Sequence, residues 1–444
     1  MNATKPGLVR RLGLFDATMV VMGGIIGSGI FMNPSVVARI VHTPWLILGT
    51  WLAGGFIALM GAFIYAELAE RRPQVGGQYA YIREAYHPLL AFLFGWTLFL
   101  ISDCGGMAAV SMTFARYYID LTGIGIPDWS VAVIVIAVLT IVNCLGVRTG
   151  STVQNILMVT KILAILMLVG FGMKLVGALP QSMASPTDTP LSIDSLSTFG
   201  AAMVPVLFAY GGWQTANFIA GEIREPQKNL PRGLLIGVVG VVILYLSVNF
   251  IYLQALGPEG LAATSTPASS VMRIVLGEKG AMLIALGIAI STLGFLSQSI
   301  LTAPRVYFAM ADDGLFFKAI AWIHPKTHVP VFAIAIQGVL AIIIALSGKY
   351  DQILSYVVYD DFLFFGLTAS CIFIFRKMAR ERHEIKPRFN MPGHPITTVL
   401  FIIICAFIVV NTIYQYRIEA GIGVAITLSG IPIYYFWKWW RRNG

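Results

Sequence analysis

The stretch GGIIGSGIF, residues 23–31, lies in the middle of the first long apolar segment of this chain. Its glycines make a poor helix, because each costs about 1 kcal/mol relative to alanine in a helix interior. In hydrocarbon, main-chain groups freed from a helix are tolerated only where they line a cavity or bind a ligand. The stretch therefore predicts a membrane-spanning helix that is broken at its centre.

A second interruption, AYGGW at residues 209–213, lies inside a later apolar segment. Gly23 and Gly27 alone would be explained by close helix packing, which small residues often allow in membrane bundles. Two interrupted spans in corresponding places instead indicate the midplane substrate site of a secondary transporter. We therefore favour a binding site over packing.

The composition is that of a membrane protein. Of the 444 residues, 57% are hydrophobic and only 11% are charged, which is too apolar for a soluble domain. Apolar segments of about 20 residues, the length that crosses a bilayer, recur twelve times: 14–41, 45–68, 89–118, 129–146, 152–176, 197–221, 232–256, 281–308, 329–346, 353–375, 396–414 and 422–440. We expect an all-α protein with twelve transmembrane helices, and no removable signal peptide.

The positive charges predict how the chain is oriented. With the N-terminus in the cytoplasm, 21 of the 30 Lys and Arg residues fall on the inner side and 7, including Lys349, on the outer side. Lys161 and Arg305 lie within spans. Because cytoplasmic loops are enriched in Lys and Arg, both termini are predicted to be cytoplasmic. The net charge of +9 is then explained by topology, and no nucleic-acid partner is expected.

No constellation of residues suggests an enzyme. The four cysteines lie in apolar segments without paired spacing, and the six histidines lie at or beyond segment ends. Neither a metal site, a cofactor nor a disulfide framework is indicated.

The spacing of the two interruptions predicts an internal symmetry. The second lies five spans after the first, so the repeat unit is odd and its second copy must be inverted in the membrane. We expect an N-terminal segment with the first repeat over 1–176, a second repeat over 197–375 and two further helices over 396–444. Broken helices 1 and 6 would meet near the centre.

The physics of a broken helix suggests a ligand with two charges. The amides of Gly27, Ser28 and Gly29 open the outer half of span 1, and amides at a helix start favour an anion. Carbonyls at the end of the inner half, near Ile25, favour a cation. Further carbonyls come from span 6 at Phe208, Ala209 and Gly211. An α-amino acid carries both charges on one carbon and would satisfy both sets.

The two interruptions, with three loop segments, resemble the amino acid, polyamine and organocation transporters, and within them the L-type amino acid transporter branch. The loop segments are YAELAERRPQVGGQYAYIREAY at 65–86, GEIREPQKNLPRG at 221–233 and RVYFAMADDGLFFKAIAWIHPKTHVP at 305–330. Together the matches run from span 1 to the start of span 9.

The resemblance implies roles for individual residues. The amides around Gly27, Ser28 and Gly29 would hold the substrate carboxylate, and carbonyls near Ile25, Phe208 and Gly211 would receive its amino group. The Phe208 side chain would act as a gate, and Trp213 is a candidate pocket wall with Tyr210 and Gln214.

Lys161 lies deep in span 5, where an ionisable group is costly unless it is paired or faces a cavity. Snorkelling to the membrane surface is the simpler explanation, but the residue lies too far from the span end. In sodium-independent members of the resembled family, a lysine here faces the break of span 1 and stands where sodium-coupled relatives hold a cation. Sodium coupling is therefore not expected.

Asp103 in span 3 and Asp360 with Asp361 in span 10 belong to no motif that carries over. They could hold a cationic substrate, relay a proton, or pair with Lys161 or Arg305. Of these three alternatives, structural pairing is favoured on sequence alone.

Sodium-independent exchange of neutral L-amino acids by alternating access is the function expected from the resemblance. Proton-coupled uptake of amino acids or polyamines is the nearest alternative, and a non-transporting amino acid sensor is an alternative of another class. Animal members of the L-type branch bond an accessory chain through a cysteine between spans 3 and 4. Residues 119–129 here contain no cysteine, so no such subunit is expected. Short loops fit a bacterial inner membrane.

Overall fold

The computed structural model describes residues 8–176, 193–347, 350–383, 387–415 and 417–443. Over this part of the chain the regular structure is helical, apart from one bridge between Leu12 and Ile223. The all-α prediction is therefore confirmed. Lys349 and most of the connection between the predicted repeats, 177–192, lie outside the described residues.

The first part of the chain forms five spans. Its helices are α1 (Leu14–Ile25), α2 (Gly29–Val41), α3 (Pro44–Arg71), α4 (Gln78–Ala85), α5 (Pro88–Thr97), α6 (Asp103–Thr122), α7 (Asp128–Cys144) and α8 (Val147–Gly172). Helices α1 and α2 are the two halves of span 1. A π-helical turn, Leu98–Ser102, joins α5 to α6 within span 3. Neither this turn nor the short helix α4 was predicted from the sequence.

The second part contains the remaining spans. Its helices are α9 (Ile193–Tyr210), α10 (Pro226–Ala263), α11 (Pro267–Thr302), α12 (Pro304–Asp312), α13 (Val331–Ser347), α14 (Tyr350–Glu381), α15 (Ile396–Gln415) and α16 (Arg417–Asn443). After Tyr210 the sixth span continues as two 3₁₀ turns, Trp213–Asn217 and Ala220–Glu222. The prediction of an apolar helix over 197–221 is thus correct only for its first half.

The twelve predicted spans are accounted for. Among the described residues, nine helical stretches are long and apolar enough to cross a membrane. Two shorter apolar helices, α7 and Val331–Leu346 of α13, supply spans 4 and 9. The remaining span is α9 with the 3₁₀ turns that follow it.

The contacts between helices follow the pattern of an inverted repeat. Spans 1, 2, 3 and 4 pack against their predicted counterparts 6, 7, 8 and 9, through the pairs α2 with α9, α3 with α10, α6 with α11 and α7 with α13. Span 5 contacts spans 1 and 8, and span 10 contacts the counterparts 6 and 3. The boundaries 1–176 and 197–375 remain predictions.

The three loop segments that carry the family resemblance are joined to one another. Arg305 pairs with Glu222 at 2.6 Å, and both side chains are fully buried. Arg83 donates to Asp313, whose carboxylate also accepts from Tyr79 Oη at 2.6 Å. These contacts tie the segments after spans 2, 6 and 8 together on one side of the bundle.

Candidate substrate-binding site

The break in span 1 occupies three residues. Helix α1 ends at Ile25 and α2 begins at Gly29. Ile26 has an extended backbone, with φ −76° and ψ 95°, and its N–H donates to Met22 O at 2.8 Å. The amide of Gly29 opens the first turn of α2, where amides have no acceptor within the helix. The predicted position of the break is confirmed.

The two breaks touch through their main chains. A Cβ added to Gly24 would lie 2.5 Å from the carbonyl oxygen of Gly212, and one added to Gly29 would lie 2.9 Å from Cα of Ala209. Gly212 itself has φ 94°, a left-handed conformation that side chains disfavour. Glycine at these positions therefore allows the broken helices to meet.

Tyr245 on α10 connects the two breaks. Its buried hydroxyl lies 3.0 Å from Ile25 O and 3.2 Å from Ala209 O, and donates to one of them at a time. A carbonyl oxygen has two lone pairs, so both can still accept from a ligand. Sequence reasoning missed Tyr245, because a single tyrosine in an apolar span carries no pattern.

Lys161 reaches the first break from α8. Its side chain is fully buried, and Nζ donates to the main-chain carbonyl of Ile26. A Cβ added to Gly294 on α11 would lie 3.3 Å from Nζ. The ammonium is thus held behind the break, between spans 1, 5 and 8, where the resemblance places it.

A cavity opens in front of the breaks. Seven of the eight predicted substrate-binding residues line it: Ile25, Gly27, Ser28, Gly29, Phe208, Ala209 and Gly211. The structure does not bring the eighth, Trp213, to this cavity. Its ring packs edge-on against Tyr65, with centroids 4.8 Å apart, and lines a smaller adjoining cavity with Tyr210.

The rest of the lining comes from spans 3, 8 and 10. Its polar side chains include Ser102, Asp103, Ser299 and Asp361. Next to the break in span 6, Gln298 donates to Thr215 Oγ1 at 2.5 Å, and both residues also line the cavity. These residues were not predicted, except for the two aspartates, although Gln298 is a polar residue inside an apolar span.

The aspartates do not form the ion pairs favoured from the sequence. Arg305 pairs with Glu222, and Lys161 donates to Ile26 O. Asp360 lies outside the cavity lining and accepts from Ser102 Oγ at 3.0 Å. The pairing of an aspartate with Lys161 or Arg305 is therefore wrong.

A family model described as amino acid permease matches residues 12–436. The chain belongs to this family. It is 30% identical over 442 residues to the serine/threonine exchanger SteT of Bacillus subtilis (strain 168), covering 99% of both chains. It is 29% identical to the human large neutral amino acids transporter small subunit 2, covering 98% of this chain and 82% of the relative.

Another permease relative is the human cystine/glutamate transporter. It is 28% identical over 453 residues, which cover all of this chain and 89% of the relative. Family membership and the apolar helices establish a multi-pass membrane protein of the twelve-helix permease fold. The relatives' names cover neutral and acidic cargo, so similarity alone does not select one side-chain class.

Proposed function

We propose that this permease exchanges L-α-amino acids across a membrane by alternating access, without sodium. The observation that carries the proposal is the cavity at two broken helices, which is lined by the residues that open α2 and by the residues whose carbonyls lie at the ends of α1 and α9. The name of the Bacillus relative, an exchanger, supports exchange as the mode of transport.

In this proposal, main-chain groups bind the carboxylate and the ammonium group that every α-amino acid carries on its α-carbon. Amides from Gly27 to Gly29 receive the carboxylate, because the start of a helix attracts an anion. The carbonyls of Ile25, Phe208, Ala209 and Gly211 receive the ammonium group. Recognition by main-chain atoms leaves the rest of the cavity to accommodate the side chain.

Lys161 replaces an ion in this proposal. Its ammonium supplies a fixed positive charge to the carbonyl of Ile26, which the break has freed from helical bonding. A bound sodium ion would make the same type of contact with carbonyl oxygens. Since the charge is covalently part of span 5, no sodium gradient is needed to complete the site.

Phe208 acts as the gate in this proposal. It lines the cavity two residues before Tyr210, the last residue of α9, and is half-buried. Rotation of a ring at this position would close the cavity over a bound substrate. Trp213 packs behind this wall and supports it rather than contacting substrate.

We further infer that both termini are cytoplasmic and that the protein works in a bacterial inner membrane. The distribution of Lys and Arg supports this orientation. A disulfide-linked accessory subunit is not part of the proposal, because the connection between spans 3 and 4 has no cysteine.

Counterflow in proteoliposomes tests the proposed function. Vesicles loaded with one unlabelled amino acid should take up labelled amino acids from a panel faster than empty vesicles. Equal uptake into loaded and empty vesicles, stimulated by an acid exterior, would instead identify proton symport. Binding without uptake into either would identify a sensor.

A further inference from the structure

We propose that the preferred substrates are L-α-amino acids with a cationic side chain, recognised by Asp103 and Asp361. This inference rests on the proposed function and specifies its substrate class. It replaces the neutral amino acids expected from the sequence resemblance, because the resemblance did not show where these two side chains lie relative to the site.

Asp103 is a buried carboxylate that has a hydrogen bond with Ser299 but keeps one oxygen unpaired. Its side chain lines the cavity, is 7% exposed, and leaves Oδ2 without a hydrogen bond. An unpaired buried carboxylate costs several kcal/mol more than a paired one. A donor from a bound ligand would satisfy this oxygen.

Asp361 lines the same cavity from span 10. Its Oδ2 lies 4.0 Å from the position of a Cβ added to Gly211, so the carboxylate approaches the break in span 6. The two acids therefore reach the cavity from different spans. A cationic group between them would contact both.

The charges around the site do not balance. The cavity lining contains two acids and, among the described residues, no Lys, Arg or His. Asp360, 2% exposed, adds a third carboxylate next to Asp361 in the chain, and Lys161 is the one buried cation at the breaks in the part of the chain that the structure describes. A neutral amino acid brings equal and opposite charges and leaves this excess unchanged. A lysine or arginine molecule brings one net positive charge.

The local structure of span 3 directs Asp103 toward the site. The π-helical turn Leu98–Ser102 ends immediately before it, and such turns often occur at functional sites. Ser102, the last residue of the turn, lines the cavity and donates to Asp360 Oδ2. This bond fixes spans 3 and 10 relative to each other beside the two acids.

The cavity also offers apolar surface for a long side chain. Phe295, Val358 and Phe362 line it on spans 8 and 10. Methylene groups pack favourably on such surface while the charged end reaches a polar group. A substrate with three or four methylenes and a terminal cation matches this combination.

Competition between matched substrates tests the inference on the unmodified protein. Arginine and citrulline have nearly the same shape, but citrulline has a neutral end; lysine and norleucine form a second pair. In counterflow, arginine should compete roughly 10- to 100-fold better than citrulline, as expected for a hydrogen bond to a charged group. Lysine should likewise exceed norleucine.

Variants then assign the selectivity. Asp103→Asn and Asp361→Asn should each reduce the arginine-to-citrulline ratio while citrulline still exchanges. Asp128→Asn, a half-buried acid at the start of α7 that does not line the cavity, is the matched control and should keep the ratio.

Three failures are distinguishable. Equal competition by arginine and citrulline, with exchange of neutral amino acids intact, would overturn the cationic preference and leave the proposed function standing. No exchange of any amino acid would overturn the proposed function itself. Acid-stimulated transport of neutral amino acids that is lost in Asp103→Asn would assign these carboxylates to proton transfer and would also overturn the inference.

Discussion

Lys161 on α8 donates from its buried Nζ to the main-chain carbonyl of Ile26, a residue 135 positions earlier in the chain. The contact joins span 5 to the segment where span 1 departs from helical geometry, between α1 and α2. A lysine ammonium thus stabilises a break that glycines create. This relationship connects the sequence feature at 23–31 with the proposal that transport needs no ion.

Removing the ammonium should slow exchange. Lys161→Ala leaves the Ile26 carbonyl without its donor, and an unsatisfied buried polar group costs about 1–3 kcal/mol, or roughly 10- to 100-fold in a rate. Initial rates of counterflow measure the effect. Lys174→Ala, on the exposed turn at the end of the same span, is the control and should exchange normally. A parental rate in Lys161→Ala would show that the lysine is merely tolerated.

Substrate binding should tolerate removal of the Ser28 hydroxyl but not addition of a methyl group at Gly29, where the two breaks are in contact. Gly29→Ala places a Cβ 2.9 Å from Cα of Ala209, so the helices must separate. Ser28→Ala keeps every main-chain amide and should retain most binding. Gly106→Ala is the matched glycine control, since nothing lies within 4 Å of its added Cβ. Substrate affinity by isothermal calorimetry measures all three. Equal losses in Ser28→Ala and Gly29→Ala would argue against main-chain recognition.

The gate should affect movement more than binding. Phe208→Ala removes a ring from the cavity wall without touching the main-chain groups that hold the α-carbon. We expect turnover to fall about 10-fold while affinity changes much less, as for other closing elements. Phe317→Ala, an exposed phenylalanine away from the cavity, serves as the comparison. Normal turnover would leave Phe208 as a packing residue.

The buried pair of Arg305 and Glu222 should stabilise the fold. Glu222→Gln leaves the guanidinium buried without its counter-charge, and breaking such a pair costs about 3–5 kcal/mol. Thermal unfolding in detergent should show a lower Tm. The double variant Glu222→Gln with Arg305→Met should recover part of this loss, because no charge is left unpaired. Equal Tm values in the parent and Glu222→Gln would contradict a structural role.

His394 should make stability depend on pH. Burial and the nearby Arg376 lower the pKa of its imidazole below the usual value. The unfolded chain therefore binds a proton first as pH falls, near its ordinary pKa of about 6.5. Stability should be full above this value and decrease between it and the lower folded pKa. His394→Gln should reduce the fall in Tm between pH 7 and pH 5. An unchanged fall would show that another titratable group causes it.

The sequence predicts the breaks well because their cause is local. Gly24, Gly27 and Gly29 weaken the helix in which they lie, and Gly212 does the same in span 6. The inverted arrangement follows from counting spans between them. No tertiary information is needed for either step.

The remaining parts of the site depend on packing. Tyr245 and Gln298 reach the breaks from spans 7 and 8, and isolated polar residues in long apolar helices do not indicate which neighbour they face. Trp213 is adjacent to the break in sequence, yet its ring turns toward Tyr65. Glu222 and Arg305 pair across 83 positions of the chain. Because so distant a pairing leaves no pattern in the sequence, an aspartate was wrongly expected as the partner of Arg305.

Counterflow with and without sodium tests the central claim most directly. The label is placed on the amino acid that exchanges fastest, and the proteoliposomes are loaded with unlabelled amino acid. The initial rate of uptake should be the same in sodium chloride and in choline chloride, because the Lys161 ammonium completes the site. Collapse of exchange in choline chloride, restored by added sodium, would contradict the account.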